Sequence, residues 1–343
     1  PALRLECGSS PPRFPSSVAP MLLRVLHETL YDYSPGVDTA QHQLHLQPLS
    51  GVTGQTLLSH RLLISPPPDQ QSCTQDVYGN AQAFFALHTA HDTLRVSADS
   101  LVQTSPHTAQ LPPGATSPWE TVRDHYRYRG MALTDEAAEF VFPSPYIPRL
   151  LQLQAYGRPS FAPGMAIGAA LLDLMSRIHA DFTYETASTN VNTPVLEALE
   201  QRKGVCQDFA HIMIGCLRGL GLPARYASGY LLTAPPPGQA RLVGSDASHA
   251  WVQAFIPQMG TSDEAEGHWL DLDPTNNRRA GEDYVLLAVG RDFSDVSPMR
   301  GVLHGGANHQ LRVQVTVAPP DDALWTRLDP PAVPPLDSAE GPC

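Results

Sequence analysis

Three side chains in this sequence have the types and the order that acyl-transfer chemistry needs. Cys206 follows Gly204-Val205 at the start of an apolar helical pattern, so its position predicts a thiol at a helix N-terminus. There the unpaired backbone N–H groups and the helix dipole stabilise a thiolate, and the glycine lets the chain turn sharply beside the sulfur. A cysteine nucleophile needs a base, and the base needs an acceptor that orients its ring. His249 heads the alternating run SHAWVQAFI, and Asp273 closes the run WLDLD, which Pro274 ends. A polar loop joins the two runs, and pairing them as a hairpin sets imidazole beside carboxylate. Taken singly, each residue has a plainer explanation: a small buried hydrophobe, a histidine satisfied in the core, an aspartate turning the chain before proline. Together they form a candidate nucleophile, base and orienting acid. Cys216, mid-helix on the apolar stripe, reads as core.

A helix must carry the thiol and neighbouring strands the other two groups, and the patterning supplies both. Cys206, Phe209, Met213, Cys216, Leu217 and Leu220 recur at helical spacing from about Val205, and Gly221-Leu222-Pro223 stops the run. Upstream, Ile167, Leu171, Leu174, Met175 and Ile178 predict an amphipathic helix within 164–180. Thr134 is read as the N-cap of a helix to about Val141, and Thr193-Pro194 as N-cap and first helical residue of one that Gly204 stops. Downstream the period becomes two at 224–232, 250–256, 269–273, 284–288 and 311–317, as strands require. Residues 21–100 hold five strand-like runs separated by SPG, SGVTG, PPPDQ and YGN turns. The fold class expected is therefore α+β: a β-rich N-terminal sandwich or sheet, then helices packed on an antiparallel sheet. The divisions expected are a disordered extension (1–20), the β-rich module (21–100), a linker (101–118), a catalytic core (119–317) and a Pro-rich tail (318–343). Met21 is a candidate start, with an ordinary loose terminus as the alternative.

Composition excludes several classes. With 22 basic against 34 acidic side chains and no lysine/arginine run, the net charge of −12 argues against a nucleic-acid binder. No apolar stretch reaches the roughly 18–20 residues that cross a bilayer, so no membrane partner is expected, and residues 1–20 make a poor signal peptide. Five scattered cysteines without a C-x-x-C pair argue against a disulfide scaffold and a structural zinc site. The expectation is a reducing compartment and a cytoplasmic protein. His42/His45 and His88/His91 lack acidic or cysteine partners at ligand spacing, and no calcium-loop motif appears; no metal or cofactor is expected.

The blocks GVCQDFAHIMIGCLRGLGLPARYASGYL, SHAWVQAFIP and WLDLDPTNN, in this order and spacing, resemble the three blocks of a transglutaminase-like core with its papain-like triad. Residues 21–100 resemble the β-rich module that precedes this core in bacteria, and VGRDFSDVSPMRGVLHGG resembles the segment C-terminal to it. The resemblance implies Cys206 as nucleophile, His249 as base and Asp273 as orienting acid. It implies cysteine-dependent acyl transfer or hydrolysis at amide or peptide bonds of a protein or peptide substrate, through a thioester. The family holds cross-linkers, peptidases, amidases and inactive members, so transamidation and hydrolysis stay open. A catalytically silent protein-binding module is the alternative. The Cys206 backbone N–H is one oxyanion donor. Animal members add a tryptophan with no clear equivalent here; Tyr184 is the candidate, with Gln207, Asp208 and Trp251 as further cleft candidates and Trp269 beside them. His211 is five residues from Cys206 and points elsewhere on the helix. The calcium dependence of animal members is not carried over, because no matching ligand set is present.

Overall fold

The first strand of the computed structural model, β1 (Met21–Leu44), runs unbroken for 24 residues. The structure describes residues 20–105, 111, 115–127, 136–186, 188–234, 242, 244, 246, 248–257, 267–306 and 308–327. Leu23, Val25, His27 and Thr29 are buried in alternation, the period-two signature of a strand with one packed face. The SPG turn expected near residue 35 is not a reversal. The β1 register jumps from Asp32 opposite Thr93 to Val37 opposite His91, so Ser34-Pro35-Gly36 forms an irregularity inside one strand. Proline and glycine serve a bulge here, as they do where a sheet must bend.

β1 organises a seven-stranded antiparallel sheet with β2 (Gln55–Ser65), β3 (Gln70–Gln75), β4 (Ala81–Leu87) and β5 (His91–Thr104), in the order β2-β5-β1-β4-β3. Residues 101–104, placed in the linker by composition, complete β5. The exposed QQSCTQ strand β3 escaped the sequence reading because it has no apolar alternation. Its Cys73 is disulfide-bonded, a single bond that the scattered spacing of the five cysteines did not signal.

The helical layer comprises α1 (Trp119–His125), α2 (Leu151–Gly157), α3 (Ile167–Asp181), α4 (Val195–Gln201) and α5 (Cys206–Gly219). Two short strands, β6 (Thr183–Tyr184) and β7 (Lys203–Gly204), pair in parallel beneath the tip of α5. That pairing corrects the expected helix 193–204: Pro194 is the extended cap, Arg202 turns left-handed (φ 56°), and Gly204 is already in a strand. Thr193 instead accepts a hydrogen bond from the Asn190 N–H. The segment Glu136–Val141 is a 3₁₀ helix; Thr134, its expected cap, lies outside the described residues, as do 1–19 and 328–343.

α5 packs on a four-stranded antiparallel sheet of order β10-β9-β8-β11, formed by β8 (Ala224–Leu231), β9 (Ser248–Pro257), β10 (Gly267–Leu272) and β11 (Tyr284–Gly290). After the short α6 (Phe293–Val296), β12 (Met299–Gly305) and β13 (Asn308–Ala318) do not join this sheet. Both pair with β1, so the N-terminal sheet draws on both ends of the chain. The free edge of β11 is closed by two buried amides from the N-terminal sheet region. Gln55 exchanges hydrogen bonds with both backbone groups of Leu286, and Asn80 with both of Val289, at 2.7–2.8 Å. These side chains do for the edge what a further strand would do.

Candidate active site

Cys206 is the first residue of α5, after Val205 in an extended cap conformation. The helix starts there because Asp208, its third residue, folds back: its Oδ2 accepts the Val205 N–H at 2.8 Å and the Thr189 hydroxyl at 2.6 Å. This is the carboxylate half of a capping box. A β-carbon on Gly204 would sit 2.6 Å from the same oxygen, so only glycine leaves room for the cap. Burial raises the pKa of Asp208, against the lowering effect of its two hydrogen bonds. Asp208 is therefore a helix cap rather than a cleft residue. Gln207 reaches sideways to donate to the Val191 carbonyl at 3.2 Å.

His249 is the second residue of β9, opposite Gly229 of β8. The β9–β10 register sets Val252 opposite Leu272, which brings Asp273, one residue past β10, to the His249 end of the hairpin. His249 Nε2 lies 2.7 Å from Asp273 Oδ2. The imidazole is also hydrogen-bonded to Cys206, for which Nδ1 is the remaining ring nitrogen. The three residues singled out from sequence thus converge in one line, from helix tip to strand to strand end.

Asp273 is fully buried. Its Oδ2 also accepts from Asn276 Nδ2 (2.7 Å) and the Tyr284 hydroxyl (2.6 Å), and its Oδ1 from the backbone N–H groups of Thr275 (2.9 Å) and Asn276 (3.1 Å). Burial alone would raise its pKa, but His249 and these donors hold it below the ordinary carboxylate value. Burial likewise works to lower the pKa of His249, and is outweighed by the Asp273 charge and hydrogen bond and by Cys206; the result is about 10. A protonated imidazole is thus favoured at neutral pH. Asn276 and Tyr284 were missed from sequence. Asn276 carried a signal in the D-P-T-N turn; Tyr284 opens a different strand and carried none.

Trp251 does not line a cleft. It is buried behind His249, stacked at 6.2 Å between ring centres, with its indole N–H donating to Asp271 Oδ1 at 2.7 Å. Trp269 packs in the core beneath the Arg225 guanidinium, 3.9 Å over its ring. Tyr184 is 53% exposed on β6, its backbone paired with Gly204, and its phenol pKa is raised by burial and by the nearby Cys206. His211 is buried and accepts the Phe293 N–H, and burial pulls its pKa to about 4. Cys216 packs against Gly157, its thiol pushed up to about 12 by burial. Among the described residues no cluster of His, Cys, Asp and Glu is arranged to hold a metal ion, and no helix is long and apolar enough to cross a membrane.

Residues 23–103 match the bacterial transglutaminase-like N-terminal region, and residues 160–274, which contain Cys206, His249 and Asp273, match the transglutaminase-like superfamily core. An uncharacterized protein of Mycobacterium tuberculosis is 39% identical over 303 residues, spanning 86% of this chain and 92% of its own. The chain belongs to the transglutaminase-like superfamily. A protein-glutamine gamma-glutamyltransferase of Pseudomonas aeruginosa is 31% identical over 129 residues, 37% of this chain and 18% of the larger protein. A crystal structure described as a candidate cysteine protease from Cytophaga hutchinsonii shares the fold of this transglutaminase-like chain. Its TM-score is 0.65 at 22% identity, covering 88% of this chain and 92% of that one.

Proposed function

We propose that this chain is a cysteine enzyme that opens amide bonds of protein or peptide substrates by acyl transfer through Cys206. The observation that carries the reading is the hydrogen-bonded line Cys206–His249–Asp273, with its carboxylate buried and saturated by donors. Cys206 sulfur, as thiolate, attacks the amide carbonyl carbon, and the carbonyl π electrons move to oxygen. The Cys206 N–H, first in the helix and without an intrahelical acceptor, and the Tyr184 hydroxyl are the candidate donors to that oxyanion. Collapse breaks the C–N bond, and the proton on His249 goes to the leaving amine. A thioester remains. Water or a primary amine then attacks it, giving its proton to His249, and the thiolate leaves. Asp273 fixes the ring and offsets the imidazolium charge throughout. The glutamyl-transfer activity named for the Pseudomonas relative supports the transamidation branch, over the short length the two chains share.

Incubation with a glutamine-containing casein and a fluorescent primary amine tests the reading. Amine incorporation lost in Cys206→Ala means transamidation; ammonia release or chain cleavage without incorporation means hydrolysis. Iodoacetamide should label Cys206 ahead of Cys216, with the preference lost in His249→Ala. Equal slow labelling of both thiols, with no turnover, would leave the silent binding module as the better reading.

A further inference from the structure

β11 is an edge strand of the catalytic sheet, next to β8, and a register shift between Leu286 and Ala288 interrupts their ladder. Its first residue is Tyr284, whose hydroxyl reaches Asp273. On one side the strand is fixed by β8, where Tyr284 stands opposite Leu231. On the other side the holding groups come from the N-terminal sheet region, and they bracket Tyr284. Two residues before it, the Glu282 carbonyl accepts the Thr104 hydroxyl at 2.5 Å. Two residues after it, the Gln55 amide accepts the Leu286 N–H and donates to the Leu286 carbonyl, each at 2.7 Å. The same amide donates to the Leu49 carbonyl at 2.6 Å, and the Leu49 N–H returns to the Leu286 carbonyl at 3.1 Å.

Gln55 and Thr104 are one rung of the N-terminal sheet: they stand opposite each other in the β2–β5 register, and both are buried. Opposite residues of an antiparallel pair put their side chains on the same face, so a single rung presents both groups to β11. A bulged edge strand bends easily. The Tyr284 oxygen lies at the far end of a rigid ring, so any tilt of the backbone is carried to it in full, and a hydrogen bond weakens steeply with misalignment. One anchor would leave a pivot; anchors on both sides of Tyr284 remove it. Asn80 holds Val289 beyond the register shift and does not bracket Tyr284. The other charges facing the phenol are the Arg278 guanidinium, 4.7 Å over its ring and paired with Asp283, and His249, 5.9 Å away between ring centres.

We propose that the Gln55–Thr104 rung is a positioning clasp, by which the N-terminal sheet keeps the Tyr284 hydroxyl on Asp273 and so sets the acidity of His249. The clasp rests on the reading of Cys206, His249 and Asp273 as the catalytic line. Its test therefore follows His249 directly, by NMR titration of the ring in the full chain, assigned with His249→Ala, and needs no turnover. Gln55→Met and Thr104→Val keep the size of each side chain and remove its grip on β11; Thr104→Val is the milder of the two. Each should move the His249 pKa upward by part of the shift that Tyr284→Phe produces, because a displaced phenol no longer shares the Asp273 charge. In the Tyr284→Phe background neither should add a shift, the non-additivity expected of residues that act through one group. Asn80→Ala should lower the melting temperature as Gln55→Met does and leave the His249 titration unchanged. Three results would overturn the clasp. They are no shift in either single variant, a shift retained in full without the Tyr284 hydroxyl, or an equal shift from Asn80→Ala, which would mean general loosening of β11. Equal slow labelling of Cys206 and Cys216 in the wild-type chain would count instead against the catalytic reading, and the His249 titration would still decide the clasp.

Discussion

Tyr284 donates its hydroxyl at 2.6 Å to Asp273 Oδ2, the same oxygen that holds His249 Nε2 at 2.7 Å. The tyrosine therefore shares the negative charge that sustains the imidazolium. Its ring also packs edge-on to Trp251, 5.3 Å away, which stacks on His249. Tyr284 thus positions both members of the acid–base pair without reaching the sulfur.

Tyr284→Phe keeps the ring and removes the donor, leaving Asp273 to concentrate its charge on His249. The pKa of His249 should rise further, making the imidazolium a weaker acid toward the leaving amine. The expected result is a several-fold lower kcat, with the alkaline limb of its pH profile moved to higher pH. A limb that moves down, or stays while kcat is unchanged, contradicts this role.

Thermal stability should report the same pair. The folded pKa of His249, about 10, lies above the ordinary 6.5, so its stabilising contribution is complete below pH 6.5 and lost as pH rises toward 10. Asp273 is shifted down, so its contribution is present above the ordinary carboxylate pKa and lost as pH falls through its folded value. The melting temperature should decline from pH 7 to 10, and His249→Ala should flatten that decline while lowering the whole curve, because it leaves Asp273 buried without its partner. A parallel curve would mean that the pair is not the group titrating.

The nucleophile helix and the hairpin that carries the other two groups were legible because their signals are local. A stripe at 3.6-residue spacing with Gly221-Leu222-Pro223 behind it defines a helix, and His249 and Asp273 stand at the ends of alternating runs. Long-range pairing was not legible. Nothing in LRVQVTV distinguishes a strand of the catalytic sheet from one that joins β1 nearly 290 residues earlier, yet Thr29 pairs with Val313. The SPG stretch carries the same residues whether it reverses the chain or bulges a strand, and the partner strand decides. The role of Tyr284 depends on the β8–β11 pairing in the same way. Asp208 suits both a helix first turn and a cleft by type, and Gly204, with no room for a β-carbon, was the neighbour that marked the cap.

If Tyr184 donates to the oxyanion, Tyr184→Phe should lower kcat by about tenfold or more while KM and the iodoacetamide labelling rate of Cys206 stay near wild type. Alkylation forms no oxyanion, so it isolates the donor from the thiolate. A matched fall in both rates would make Tyr184 a packing residue instead.

Asp208→Ala removes the acceptor for the Val205 N–H and the Thr189 hydroxyl, and should cost about 1–2 kcal/mol in urea unfolding. Asp208→Asn should cost far less, because both bonds go to one oxygen that an amide retains. The sign of the pH effect separates the variants further. The raised folded pKa of Asp208 means that its contribution is complete below the ordinary carboxylate pKa and lost as pH rises through the folded value, a dependence that asparagine removes. Equal destabilisation by both substitutions would exclude capping as the role.

Gly229 stands opposite His249 in the β8–β9 register, with Trp251 closing over it. A β-carbon there would lie 2.0 Å from the Val285 carbonyl oxygen and 2.7 Å from the Trp251 ring, closer than real contacts allow. The backbone oxygen belongs to the paired strand β11 and cannot move without opening the β8–β11 ladder, while Trp251 is held by its indole bond to Asp271. Overpacking of this kind costs about 1–3 kcal/mol even where neighbours adjust, and here one neighbour is main chain. Gly229→Ala should therefore lower the melting temperature by several degrees. In whatever fraction folds, displacing Trp251 shifts the ring that backs His249, so selective labelling of Cys206 should fall as well. The equivalent change at Gly51, whose β-carbon would meet nothing within 4 Å but whose φ is +76°, supplies the contrast. That variant should show backbone strain alone, with labelling of Cys206 unchanged. Loss of stability at both positions with full labelling retained at Gly229→Ala would show that Trp251 does not hold the imidazole in place.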